Sequence, residues 1–294
     1  MNIKEIKNKY LEKDGCMYGR RNIEDSLALL YHENSKFTSH SARVEGQKIM
    51  GFNNPFVNKR AYQPYKCYPG TKRVDLNDYK DTVPQKELVA TLNQRRSVRN
   101  YNPTYKISLS EITTLLYQSY GVNNSQELYN VGREAHMGLR NVPSGGGLFP
   151  LEMYVVIQNS HIPSGLYHYR TDLNELECLK EGDFKDTLAG IIQAEPYVQI
   201  RDASMVMLVT GVVERSIIKY GDRGYRFMLQ ESGEVAQTVS LLGEALDLGS
   251  CILGGYLDDK VNEFLDVDGV FESINNIIVI GGKIKQEECH EKDS

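Results

Sequence analysis

The stretch ERSIIKYGDRGYR, residues 214–226, sets Lys219 beside Tyr220 and surrounds them with Arg215, Arg223 and Arg226, two carboxylates and a second tyrosine. An amine whose pKa is depressed by burial or by neighbouring cations takes up a proton near neutral pH, and an adjacent phenol can relay that proton or be held as a tyrosinate. Such a pair suits an acid–base step at a reacting carbon or nitrogen. The same residues, polar and interrupted by two glycines, also make an ordinary solvated turn. The stretch alone does not choose between the two.

Three other segments have the composition to meet an anion. QRRSVRNY (94–101) gathers Arg95, Arg96, Ser97 and Arg99 within five residues, and guanidinium groups grip phosphate bidentately. A solvated basic patch has the same composition. NVPSGGGLFP (141–150) offers Pro143, Ser144, Gly145 and Gly146, where missing Cβ atoms let backbone N–H groups approach a ligand; a flexible loop is the plain alternative. CILGGY (251–256) and IGGK (280–283) place Gly254, Gly255 and Lys283 at element ends, where glycine pairs also serve as caps. Neither GxGxxG nor GxxxxGK[ST] occurs, so a Rossmann or P-loop phosphate site is not supported.

These segments need elements to hold them. SLSEITTLLYQSYG (108–121) predicts a helix opened by a Ser108–Glu111 capping box, with Leu109, Ile112, Leu115 and Leu116 on one face and Gly121 as its stop. LEMYVVIQN (151–159) alternates as a strand. GLYHYRTDLNELECL (165–179) reads as two short strands about a turn at 172–174. SMVMLVTGV (204–212) and NNIIVIGGK (275–283) read as strands covered on both faces. Residues 225–249 predict one long helix ending at Gly249. Strands and helices without βαβ alternation indicate an α+β fold. Residues 1–85 read as an N-terminal extension making dimer or substrate contacts, in which the run NNPFVNKRAYQPYKCYPG (53–70) suggests loops and turns laid over another surface, and 86–294 as the main domain.

Composition bounds the function. The chain has 294 residues, 40% hydrophobic and 25% charged, with a net charge of −5, which argues against an extended nucleic-acid-binding face. No apolar run reaches the ~20 residues of a membrane span, and no secretion signal opens the chain, so a cytoplasmic protein is expected. Five scattered cysteines fit reduced thiols, and no Cys or His spacing suggests a metal; Cys251 is read as core filler, and His136 and His168 as structural or surface residues. Many of the nineteen tyrosines fall in 1–85, where they cover a dimer surface or line a substrate channel.

Taken in order, RRSVR, PSGGGLFPLEMYVV, the long helix, ILGGY and IGGK resemble the nitroreductase-like flavoprotein superfamily. With YHENSK (31–36) and YKCYPG (65–70), the chain resembles more narrowly the SagB-type dehydrogenases and McbC-like azoline oxidases. The resemblance implies a central, mostly antiparallel sheet flanked by helices, FMN as cofactor, and a homodimer with flavin sites at its interface. It implies that Arg95, Ser97 and Arg99, with Arg96 beside them, bind the FMN phosphate and ribityl chain, to which Lys283 returns. Pro143, Ser144, Gly145 and Gly146 would line the isoalloxazine ring, and Gly254 and Gly255 would meet its N5 edge. Lys219-Tyr220 matches the family's Lys-Tyr pair of candidate catalytic residues. The implied reaction aromatises a thiazoline or oxazoline ring: a hydride leaves for FMN, a proton leaves for the pair, and oxygen reoxidises the flavin. The substrate would be a ribosomal peptide or a carrier-tethered azoline, with a cyclodehydratase or a non-ribosomal synthetase as partner. An NAD(P)H-dependent nitro- or quinone reductase on the same fold is the alternative, and a flavin-free scaffolding subunit a third reading.

Overall fold

The computed structural model describes residues 26–62, 65–127 and 136–284; Cys16 and the Cys289-His290 tail lie outside them. Three helices come first: α1 (Leu27–Asn34), α2 (Ser39–Gly51) and α3 (Pro55–Ala61). Strand β1 (Lys72–Asp75), helices α4 (Leu88–Gln94) and α5 (Leu109–Tyr120), and the hairpin β2 (Asn124–Glu127)–β3 (His136–Leu139) follow. Next are β4 (Leu151–Ile157), β5 (Gly165–Arg170), β6 (Glu175–Glu181), α6 (Lys185–Ile191) and β7 (Met205–Val212). The chain finishes with α7 (Val213–Tyr220), α8 (Arg223–Ala245), β8 (Leu248–Leu253), α9 (Asp258–Leu265) and β9 (Glu272–Gly282).

Seven strands form one sheet in the order β1-β6-β5-β4-β7-β9-β8, every neighbouring pair antiparallel. Alternation along the central strands divides the core in two. Leu151, Met153, Val155 and Ile157 of β4 and Met205, Met207 and Val209 of β7 pack with Ile112, Leu115 and Leu116 of α5 and Met228, Val235 and Val239 of α8. Tyr154, Val156, Val206 and Leu208 face the other way, toward Leu188 and Ile192 at α6 and Val261 and Leu265 of α9. Each of these aliphatic side chains contributes about 2 kcal/mol by leaving water. Both central strands are therefore buried on both faces, as the apolar run of β7 indicated; β4, which reads as alternating, is buried on its second face as well. The α5 capping box also forms: Glu111 N–H donates to Ser108 Oγ (3.2 Å), and Glu111 Oε2 accepts from Ser108 N–H (2.7 Å).

The structure departs from two local expectations. Within the run 53–70, which reads as loops and turns, Pro55–Ala61 form a helix. Asn54 and Pro55, which read as turn signals, instead start α3: the Asn54 side chain accepts from Phe56 N–H at 2.9 Å, and proline takes the first helical position, where its missing N–H costs nothing. The long helix ends at Ala245, and Gly249 lies inside β8 rather than capping. Its glycine serves close packing, because a Cβ there would lie 2.6 Å from Val98 Cγ1.

On the second face, near the start of β4, a row of polar groups crosses five strands. His168 is fully buried; its Nε2 meets Glu152 Oε2 at 3.0 Å and its Nδ1 meets Glu177 Oε2 at 3.1 Å. Arg215 of α7 pairs with Glu152 at 2.6 Å. Glu272 accepts from Tyr154 Oη (2.9 Å) and Thr210 Oγ1 (2.8 Å) and pairs with Lys66 Nζ (2.7 Å). Burial disfavours the His168 cation, but hydrogen bonds and charge from Glu152 and Glu177 outweigh it, so its pKa is raised. Burial likewise disfavours ionised Glu152, yet Arg215 and His168 hold its pKa down at about 2. Glu152, Glu177, His168 and Arg215 thus sustain one another. Replacing Arg215 with leucine leaves Glu152 short of one partner. It should cost about 3 kcal/mol in urea unfolding, the scale of a broken buried pair, with a smaller loss for Arg215→Lys.

Candidate functional site

Lys219 and Tyr220 close α7, which continues directly from β7, and a two-residue turn, Gly221–Asp222, leads into α8. The stretch is a helix corner packed under the N-terminal helices. Tyr31 Oη donates to Asp222 O (2.8 Å), Arg226 donates to Ser35 Oγ (2.8 Å) and His32 O (2.6 Å), and Arg223 to Ser35 O (3.2 Å). The three arginines of the stretch therefore fasten α1 and the buried polar row.

Lys219 Nζ donates to Tyr62 Oη at 3.2 Å. The rings of Phe52, Tyr62 and Tyr220 surround the amine at 5.0, 5.7 and 5.6 Å. Among the described residues no carboxylate pairs with it. Facing it is the glycine loop. Gly146 is exposed, with φ +66°, a conformation that L side chains avoid; a Cβ there would collide with Tyr220 Oη and lie 3.0 Å from Lys219 Nζ. Only glycine lets the loop meet the Lys219-Tyr220 pair this closely.

The loop is clamped on both sides. Tyr62 Oη donates to Gly146 O at 2.8 Å. Beneath, Ser144 Oγ donates to Glu231 Oε2 (2.6 Å) and accepts from Phe149 N–H (2.9 Å), while Tyr120 Oη donates to Glu231 Oε1 (2.5 Å). Glu231 is 2% exposed. Burial pushes its pKa up to about 7 despite hydrogen bonds from Ser144 and Tyr120 and the charge of Arg140. A carboxyl poised there under the loop can hold or release a proton at working pH.

A second group gathers along β8. Ser97 bridges Ser250, and Val98 N–H donates to Ser250 O (2.9 Å). Tyr101 bridges Lys283, and Arg99 O accepts from Gln199 N–H (2.9 Å). Lys283 Nζ pairs with Glu244 at 2.8 Å, and Lys86 pairs with the same carboxylate at 3.1 Å. Arg95 is half-buried and Arg96 exposed, its guanidinium donating to Asn93 O and Arg95 O. Arg99 Nε is buried without a hydrogen-bond partner. Gly254 and Gly255 are exposed, with open space where a Cβ of Gly254 would stand. Because Gly282 pairs with Leu248, Lys283 and Gly254 stand at opposite ends of β8, about 20 Å apart at ~3.4 Å per residue. Three arginines and Lys283, an orphaned guanidinium N–H and an open glycine edge fit a phosphate-bearing ligand laid along the strand.

The two groups do not meet within one chain. The 143–146 loop precedes β4, and Gly254 follows β8, three strands away at the same end of the sheet, about 15 Å at ~4.8 Å per strand. Among the described residues no hydrogen bond or ion pair joins them. Sequence reasoning missed Tyr62, Phe52 and Glu231. Glu231 left a signal, an acidic residue on the apolar stripe of Met228 and Val235; Tyr62 left none.

The profile of the Nitroreductase family matches residues 92–282. MJ1384 of Methanocaldococcus jannaschii, whose name places it with the nitroreductases, is 29% identical over 67% of this chain and 91% of its own. The microcin B17-processing protein McbC of Escherichia coli is 25% identical over 44% of this chain, and the chain spans about half of McbC, 49% of its length. A crystal structure from Anabaena variabilis, also described as a nitroreductase, superposes with a TM-score of 0.59 at 25% identity, covering 74% of this chain and 42% of that one.

The raised pKa of Glu231 fixes a direction. The folded chain binds a proton that the unfolded chain releases between its ordinary 4.5 and about 7, so this residue lowers stability as pH rises through that window, by about 3 kcal/mol at most. The stability difference between wild type and Glu231→Gln, followed by chemical unfolding from pH 4 to 8, should change across that window and level off at both ends.

Proposed function

The chain belongs to the nitroreductase family, and from that we propose that it is an FMN-dependent oxidoreductase that aromatises thiazoline or oxazoline rings in peptide natural products. The observation that carries this reading is the Lys219 amine set 3.0 Å from the Cβ position of Gly146, with Tyr220 against the same glycine. A base at a ligand-facing loop is what azoline oxidation needs beyond a hydride acceptor. The name of the relative McbC, a peptide-processing protein, supports the substrate class.

In this reading Arg95, Arg96, Ser97, Arg99 and Lys283 hold the FMN phosphate and ribityl chain, and Gly254 and Gly255 present backbone N–H groups to the flavin edge. Bound FMN supplies the two-electron acceptor. Lys219 takes the proton released from the ring atom next to the one losing hydride, and Tyr220 is its partner or relay. Because Pro143, Ser144, Gly145 and Gly146 stand about 15 Å from Gly254 in one chain, the reading places a second copy across the site, its loop completing the first copy's flavin pocket. A ribosomal peptide delivered by a cyclodehydratase, or an azoline on a carrier domain, would approach from the N-terminal helices. Residues 1–85 serve in this reading as the extension and 86–294 as the FMN-binding domain.

The match to MJ1384, at higher identity over most of that protein, favours a second reading as an NAD(P)H-dependent nitro- or quinone reductase. Rapid flavin bleaching by NADPH followed by nitroaromatic reduction would select it.

Mass spectrometry of azoline-containing peptides incubated with the yellow protein should show loss of two hydrogens per ring. Lys219→Ala should keep its flavin absorbance and lose about 100-fold or more of that rate, the scale of a general base. A variant oxidising at the wild-type rate would remove Lys219 from the chemistry.

A further inference from the structure

We propose that Tyr62, delivered by the N-terminal helices, is a positioning residue that fixes the Lys219 amine against the glycine loop; this rests on Lys219 being the base. A tyrosine hydroxyl has one proton and accepting lone pairs. The Tyr62 proton is directed at Gly146 O at 2.8 Å, so toward Lys219, at 3.2 Å, Tyr62 is the acceptor. One N–H of Lys219 is thereby assigned to Tyr62, and the same oxygen holds the loop carbonyl. Amine and loop are tied to one atom and keep a fixed relation.

The surroundings leave Lys219 no stronger tie. The other groups around its amine are the ring of Phe52, 8% exposed, and the rings of Tyr62 and Tyr220, and among the described residues no carboxylate competes. The aromatic faces lie against the amine without directing its N–H groups, so direction comes from the Tyr62 oxygen. Lys219 is anchored to the buried row: Arg215, one turn before it on α7, pairs with Glu152.

The test is Tyr62→Phe in the full-length flavin-loaded protein, which keeps the ring and removes the hydroxyl. FMN affinity, peptide KM and melting temperature should stay near wild type, while kcat falls about tenfold, the cost of a misplaced reacting group, and the alkaline or acid limb of the pH–rate profile moves. Independently of turnover, site-resolved acetylation by acetic anhydride, read by mass spectrometry across pH 6–10, should change at Lys219 by roughly threefold, the scale of one lost hydrogen bond, and at no other lysine. Tyr62→Leu should repeat the acetylation change. If Lys219 acetylation and the pH–rate profile are both unchanged in Tyr62→Phe, the inference is overturned. If wild type oxidises no azoline yet Lys219 acetylation still responds to Tyr62→Phe, the positioning role stands and the proposed substrate falls.

Discussion

A histidine held between two buried carboxylates is the interaction on which the rest of the site depends. Glu152, His168 and Glu177 come from three adjacent strands, so the sheet itself sets their spacing. Isolated charges in this position would be costly, and burial works against each of them. They persist as a set, and the set has open valences at its rim. Arg215 fills one and fixes the helix that ends in Lys219-Tyr220. Tyr68 N–H donates to Glu177 at 3.1 Å, and Lys66 fills the neighbouring Glu272, fixing residues 66–68. The polar row orients what the apolar layers only hold.

This accounts for two sequence motifs that had no role by themselves. YKCYPG supplies Lys66 and Tyr68 to the row. YHENSK supplies Tyr31, His32 and Ser35 to the corner between α7 and α8, where Arg223 and Arg226 receive them. Both motifs bracket the same pair of residues, one from each side. The N-terminal helices are thereby part of the site's construction, and they bring Phe52 and Tyr62 to the amine.

What could be read from the sequence was local or periodic. The Ser108–Glu111 box involves residues three apart, and the alternation of β4 and the apolar runs of β7 and β9 follow from each strand's own side chains. What could not be read depended on partners distant along the chain. Asn54-Pro55 signals a turn and a helix start with the same residues. A capping glycine and a close-packing glycine look alike, so Gly249 was placed at a helix end when Val98 was its reason. Lys219-Tyr220 was legible as an adjacent pair, whereas Tyr62 meets Lys219 across 157 positions and has no signature at either end. Glu231 was legible in principle, since a carboxylate on a buried helical stripe must find donors.

The left-handed backbone at Gly146 carries a lesson about what this surface can become. Two unrelated restrictions fall on the same atom position: chirality rejects a side chain there, and the Tyr220 hydroxyl already occupies the space one would need. Relieving either leaves the other in force. Drift at this point of the loop is blocked twice over, so diversification of the pocket has to proceed through the neighbouring walls, while the floor beneath the amine stays bare.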